Sequence, residues 1–134
     1  MKRSDYMKRD MDLIRKILFK IEEEYVSTAL FNLVIDGYEF TDVAYQCKLL
    51  YDAGLVDQYK SKYGDNTIYA FTVGGLTWEG HDFLDKIRED TIWNKTKETI
   101  TKKGLPMILD VIKDVATGIV SSMAEGAIKG LMNP

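Results

Sequence analysis

The residues best suited to nucleophilic chemistry are a single histidine, His81, and a single cysteine, Cys47. A thiol–imidazole pair needs both groups within hydrogen-bond reach and a third group to orient the ring. Cys47 shares an apolar helix face with Val43 and Leu50, so we expect it in the core, and we expect His81 to pack or hydrogen-bond locally. One histidine and one cysteine supply no ligand set for a metal. The sequence therefore predicts a protein that is not an enzyme and holds no cofactor.

The acidic clusters and the glycine pair also favour structural roles. Glu22-Glu23-Glu24 is typical of a solvated helix end, and nothing in the sequence indicates a cleft for paired catalytic carboxylates. Gly74-Gly75 precedes a predicted helix, but the segment lacks the lysine and the spacing of a phosphate-binding loop. We interpret these glycines as a bend between a strand and a helix.

Composition limits the classes of protein that fit. The chain has 134 residues, 46% of them hydrophobic and 29% charged, with a net charge of −3, which allows one core with an additional helix. Nucleic-acid binders are usually basic, because counterion release supplies much of their affinity. The longest uncharged apolar run, Val115 to Ala124, is about half of a membrane span. The start lacks the apolar core of a signal peptide, so we expect a cytoplasmic protein.

Hydrophobic periodicity and turn residues predict the order of the elements. The predicted elements are a helix from Asp10 to Tyr25 capped by Asp10, a short strand within Ala29–Ile35, a helix capped by Thr41 that runs to Ala53 and stops at Gly54, strands Leu55–Tyr63 and Thr67–Val73 around a turn at 63–66, a helix capped by Thr77, a helix capped by Asp90 that ends at Gly104, and a last helix with Pro106 in its first turn. This order indicates an α+β, mainly helical fold. The fold is winged-helix-like over residues 1–103, with a long amphipathic helix over 104–134.

Three segments add a resemblance to a known family. Met7–Arg15, Leu76–His81 (LTWEGH) and Thr91–Thr96 resemble a family of small bacterial and phage proteins known as domain of unknown function 2513. The resemblance implies a winged-helix-like fold and a phage or prophage setting, and it implies no activity. The family often has a histidine where Gln46 stands here.

Polar and aromatic side chains on the second helix and the hairpin are candidates for contact with a macromolecule. They are Asp42, Tyr45, Gln46, Lys48, Tyr59, Lys60, Lys62, Tyr63 and Asn66. A helix that reads DNA presents basic side chains, whereas the predicted exposed side of this helix offers only Lys48 as a base, among carboxylates. The leading hypothesis is therefore a non-enzymatic protein that binds another protein. The alternative is a DNA-binding regulator that uses the Thr41–Ala53 helix and the hairpin.

The C-terminal helix carries a broad apolar stripe that could pair with another chain. Its candidate interface residues are Ile108, Ile112, Val115, Ile119, Ser122, Met123, Gly126 and Gly130. Small residues spaced by four would let a second helix approach closely. Self-association is favoured over folding back onto the same chain, and the helix's polar face is not cationic enough to favour a membrane surface.

Overall fold

The computed structural model describes residues 8–132, which form five helices and one three-stranded sheet. In chain order the elements are α1 (Met11–Glu24), β1 (Leu30–Phe31), α2 (Phe40–Asp52), β2 (Tyr59–Gly64), β3 (Thr67–Val73), α3 (Trp78–Ile87), α4 (Asp90–Lys102) and α5 (Leu109–Met132). This confirms the α+β, mainly helical class and the predicted order. Residues 1–7 and 133–134, which include the start of the first resembling segment, lie outside the description.

Two compact units make up the chain, with the boundary between Leu84 and Asp85 inside α3. The predicted boundary at residue 104 falls within the second unit, which contains both α4 and α5.

Helices α1 and α2 pack together and supply much of the core of the first unit. α1 begins as predicted, because the Asp10 side chain accepts a hydrogen bond from the backbone N–H of Leu13 at 3.1 Å. The inner face of α1 carries Leu13, Ile14, Ile17, Leu18 and Ile21, all buried. The cap predicted for α2 is wrong by two residues: Glu39 is the N-cap without a side-chain bond, and Thr41 lies inside the helix.

The three strands form an antiparallel sheet in the order β1-β3-β2. A two-residue turn joins β2 to β3, and both of its residues, Asp65 and Asn66, have positive φ, as a type I′ hairpin requires. The pairing advances from Lys62–Ala70 to Tyr63–Ile68, so Tyr69 is an extra residue that bulges from β3. The predicted strand in 29–35 is reduced to the two residues of β1.

One junction fixes the ends of the hairpin segment. α2 ends in a Schellman motif, in which Gly54, at φ 76°, donates to Tyr51 O and Leu55 N donates to Leu50 O. The N–H of Thr77 then donates to the carbonyl of Leu55 at 3.0 Å. Both ends of segment 55–77 therefore meet at the C-terminus of α2.

Helices α4 and α5 pack against each other in the second unit. α4 also ends in a Schellman motif, with Gly104 at φ 65° and Leu105 N donating to Ile100 O. Two terminal predictions are wrong here. Glu89 rather than Asp90 is the N-cap of α4, and Pro106 lies in the connection before α5. Proline disfavours helical backbone at the residue before it, so it also suits a connection between two helices.

Candidate functional site

A groove between α2 and the hairpin collects most of the predicted contact residues. It has a volume of about 290 Å³ and lies within the first unit. We call it the tyrosine groove, and it is lined by Glu39, Thr41, Ala44, Tyr45, Lys48, Tyr59, Tyr63, Asn66, Thr67 and Ile68. Five of the predicted contact residues are in this set.

Helical and strand periodicity explain which side chains reach the groove. On α2 the lining residues follow spacings of three and four, from Thr41 through Ala44 and Tyr45 to Lys48, so they share one face. On β2 the lining residues Tyr59 and Tyr63 lie an even number of residues apart, as side chains on one side of a strand must. The turn and the start of β3 complete the wall.

An aromatic cluster supports the groove from inside. The ring of buried Phe71 on β3 lies 5.3 Å from the ring of Phe40 and 6.2 Å from the ring of Tyr59, within the range of favourable aromatic pairs. Burial raises the pKa of Tyr59 to about 12, although its hydrogen bond with Ser61 opposes the shift. Tyr59 therefore stays a neutral hydrogen-bonding group at physiological pH.

The charges around α2 do not favour a polyanion. The ammonium of Lys48 lies 2.8 Å from a carboxylate oxygen of Asp52, and this hydrogen bond raises the pKa of Lys48. Asp42 on the same helix has a raised pKa because of partial burial and then the negative charges of Glu39 and Asp10. Among residues 8–132, the one cation that lines the groove is thus already paired, and carboxylates surround the start of the helix.

Gln46 was predicted to be an exposed contact residue, and this prediction is wrong. Its side chain is 1% exposed. Its amide donates to Lys8 O at 2.8 Å and accepts from the N–H of Asp10 at 2.9 Å. These two bonds connect the chain before α1 to α2. The side chain points inward because residue 46 follows the buried Val43 by three positions and shares its side of the helix.

The structure also divides the predicted basic and aromatic patch of the hairpin. Tyr59 and Tyr63 line the groove, whereas Lys60 and Lys62, at the alternate positions of β2, do not. Since successive side chains of a strand point to opposite faces, the lysines and the tyrosines occupy different sides. Asp42 is half-buried on α2 and lies outside the lining.

Cys47 lies in the core, as its position with Val43 and Leu50 predicted. Burial raises the pKa of its thiol to about 12, so the nucleophilic thiolate is scarcely formed at neutral pH. His81 is exposed on α3. Within residues 8–132, no group of three or more His, Cys, Asp or Glu side chains could hold a metal ion.

The Leu76–His81 segment joins the start of α3 to the end of α2, and the cap predicted at Thr77 is confirmed. Thr77 caps α3 by accepting from the N–H of Gly80 at 3.0 Å, and its hydroxyl donates to Gly54 O at 2.6 Å. A Cβ added at Gly80 would collide with the carbonyl of Leu55. Only glycine fits there, while Trp78 in the same segment is 79% exposed.

The predicted interface residues of α5 fall into two groups. Ile112 is buried and Val115 and Ile119 are half-buried, so the first part of the stripe packs inside the chain. Ile108 is exposed and precedes the helix. Ser122, Met123, Gly126 and Gly130 are exposed, and an added Cβ at either glycine would meet nothing within 4 Å.

Comparison with known proteins assigns the family. The model described as "Hypothetical protein (DUF2513)" matches residues 8–106, and the chain belongs to this family. An uncharacterized protein of Haemophilus influenzae (strain Rd) is 45% identical over 120 residues, which cover 87% of this chain and 98% of that protein. No solved structure matches this chain. The winged-helix-like assignment therefore stays a prediction.

A helix that crosses a bilayer needs about 20 predominantly apolar residues. Across residues 8–132, no helix is both long enough and apolar enough to do so.

Proposed function

We propose that this chain is a non-enzymatic protein-binding domain that takes a segment of a partner protein into the tyrosine groove. The observation that carries the proposal is the chemistry of the lining. In the part of the chain that the structure describes, it holds three tyrosines, small polar side chains, the carboxylate of Glu39, and one lysine that is already paired with Asp52. Tyrosine is enriched at protein interfaces, because its ring supplies contact area and its hydroxyl supplies a directed hydrogen bond.

The same lining disfavours the DNA-binding alternative. Phosphate contacts supply most of the affinity of DNA-binding proteins, and Glu39 in the groove would repel a phosphate. Lys60 and Lys62 lie on the hairpin but outside the groove. A protein segment needs no such cationic surface. The cytoplasmic location and the phage or prophage setting belong to this proposal as predictions, which fractionation and the neighbouring genes would test.

Tyr63 offers the sharpest probe of the groove, because the neighbouring strand supplies a matched control. Tyr63 is 62% exposed and lines the groove, while Tyr69 is 61% exposed and does not. A photo-crosslinking amino acid is placed at either position in the full chain, and proteins captured from an extract of the producing cells are identified by mass spectrometry. We expect a defined protein to crosslink from position 63 and not from position 69.

The captured protein is then purified and titrated against the variants. Tyr63→Ala should weaken binding about 30-fold, corresponding to the roughly 2 kcal/mol of an interface hot spot, and Tyr69→Ala should change it little. Equal capture from both positions, or equal loss in both variants, would contradict the proposal. Anisotropy with random duplex DNA at low and moderate salt tests the alternative. Salt-sensitive DNA binding that is lost on Lys60→Glu with Lys62→Glu would replace protein binding as the conclusion.

A further inference from the structure

The two lysines of the hairpin lie on the side of the sheet that faces away from α2. Helix α2 packs on β2 and β3, and the ring contact of Phe40 with Phe71 marks the side that it covers. Ser61 pairs with Phe71 and shares that side. Since side chains alternate along a strand, Lys60 and Lys62 point the other way. Both lysines are exposed, and we call this side of the sheet the open face.

Cross-strand pairing places an aromatic ring on the open face beside the first lysine. Lys60 on β2 pairs with Thr72 on β3, and Thr72 pairs with Phe31 on β1. The three side chains therefore form one row across the sheet. Neighbouring strands are about 4.8 Å apart, so the backbone of Phe31 lies about 10 Å from that of Lys60. The side chain of Phe31 is 68% exposed, so its ring is accessible from this face.

The β-bulge turns a second ring onto the open face. Lys62 pairs with Ala70, so Ala70 belongs to this face, and strict alternation would send Tyr69 to the side of α2. The extra residue in β3 interrupts the alternation, and bulges commonly redirect a side chain in this way. Gly64 follows the groove-lining Tyr63 by one position, so a Cβ added there would point to the open face. That Cβ would lie 3.5 Å from the ring of Tyr69, which places the ring on the same face.

The open face therefore combines flat aromatic surface with positive charge. Tyr69 is 61% exposed, and the small side chains of Ala70 and Thr72 form the floor beside the two rings. Among residues 8–132, neither Lys60 nor Lys62 takes part in an ion pair. The groove side of the sheet differs in this respect, because its lysine is already paired with a carboxylate.

We propose that the open face binds a single strand of nucleic acid. Each nucleotide supplies a flat base that stacks on an exposed ring and a phosphate that a lysine ammonium attracts. An acidic peptide would supply negative charge, but it has planar groups only at its aromatic residues. In a duplex the bases already stack on one another, so exposed rings favour a single strand. The open face and the tyrosine groove lie on opposite sides of the sheet, and this proposal does not depend on the groove.

The affinity should be modest and sensitive to salt. The chain has a net charge of −3, which opposes a polyanion at long range. Each phosphate neutralised on a single strand contributes about −0.7 to the slope of log K against log [salt], so two lysine contacts predict a slope of about −1.4. Fluorescence anisotropy of the full chain with fluorescein-labelled oligothymidylate measures this slope. The oligonucleotide should exceed the roughly 4–16 nucleotides that comparable sites span.

Replacement of the two hairpin lysines tests the charge. Lys60→Gln with Lys62→Gln should weaken binding at least about tenfold at low salt and bring the slope close to zero. The matched control is Lys95→Gln with Lys103→Gln, which removes the same charge from two exposed lysines of the second unit. The control should change binding less than about threefold, because it alters only the net charge.

Replacement of the bulged tyrosine tests the stacking. Tyr69→Ala should weaken binding at least about fivefold, which is the lower end for the loss of one base–ring stack. Tyr63→Ala removes an equally exposed tyrosine from the groove side and should leave binding nearly unchanged. Circular dichroism checks that all four variants fold.

Three results would overturn the proposal. The first is a full chain that does not bind oligothymidylate at low salt. The second is equal loss of binding in the two lysine variants or in the two tyrosine variants. The third is a duplex of the same length that binds as tightly as the single strand. Competition by oligoglutamate as strong as that by unlabelled oligothymidylate would assign the open face to an acidic protein segment instead.

Discussion

Replacing Gln46 should destabilise the first unit far more than its position on a polar-looking helix suggests. The Gln46 amide makes two hydrogen bonds, to Lys8 O at 2.8 Å and from Asp10 N at 2.9 Å. Gln46→Met keeps the side-chain length and helix propensity but removes both bonds. Each lost bond costs about 1 kcal/mol, and partly buried groups left without partners add to this. The free energy of unfolding should fall by about 2–4 kcal/mol.

Urea denaturation followed by circular dichroism measures this change. For a domain of this size the midpoint should fall by about 1–2 M, and hydrogen exchange at the Asp10 amide should accelerate as its acceptor is lost. Lys48→Met is the control on the same helix, because it removes an exposed ion pair and should move the midpoint little. A Gln46→Met midpoint change worth less than about 0.5 kcal/mol, the level of a surface substitution, would refute the role assigned to this amide.

Gln46→Glu adds a pH signature to the same argument. A protonated carboxyl can donate to Lys8 O and accept from Asp10 N–H, as the amide does, whereas a carboxylate cannot donate. Burial and the adjacent carbonyl should therefore raise the pKa of the introduced carboxyl above its unfolded value of about 4.3. Between the unfolded and the folded pKa of this carboxyl, the unfolded state binds fewer protons than the folded state. The stability of the variant is therefore retained at low pH and falls as the pH rises through the folded pKa. Identical urea midpoints at pH 4 and pH 7, relative to wild type, would contradict this.

Further results are expected from two glycines and from Cys47. Gly80→Ala should cost about 3 kcal/mol or more, because the new Cβ meets the backbone carbonyl of Leu55. Gly118→Ala, with open space around it, should instead stabilise by about 0.5–1 kcal/mol; urea midpoints of the two variants would contradict the geometry if they moved in the same direction. The thiol of Cys47 should resist a disulfide reagent in the native state and react in urea. Because its pKa is raised from 9.0 to about 12, stability should fall as pH rises between these values, and Cys47→Val should reduce that fall.

The parts of the fold that were predictable from sequence are those set by local chemistry. Asp10 at a cap, Gly54 after a helix and the Asp65-Asn66 turn each impose a backbone geometry on their neighbours. The caps of α2 and α4 were misplaced because Thr41 and Asp90 have good capping side chains, yet Glu39 and Glu89 occupy the cap positions without side-chain bonds. Capping propensity identifies the residues that could cap a helix, but the residue at which the helix begins also depends on how the helix packs.

Some residues of the candidate site were predictable from the sequence, and others were not. Tyr45, Tyr59 and Tyr63 were chosen as surface aromatics, and the fold brings them to one groove. Gln46 was misassigned because its polarity outweighed its spacing from Val43 and Leu50, which already placed it on the inner side. Ile68 at the hairpin end of the groove was missed, since only the tertiary approach of β3 to α2 brings it there.

The junction at Leu55 and Thr77 has a consequence for how the hairpin can change in evolution and in engineering. Both ends of this segment are held at the C-terminus of α2 by backbone hydrogen bonds. Residues inserted between Asp65 and Asn66 would therefore lengthen the hairpin without moving its base. The entropic cost of closing a loop grows only slowly with its length. The reach of the groove over a bound segment can thus be adjusted at its tip, while the helices that anchor it keep their spacing.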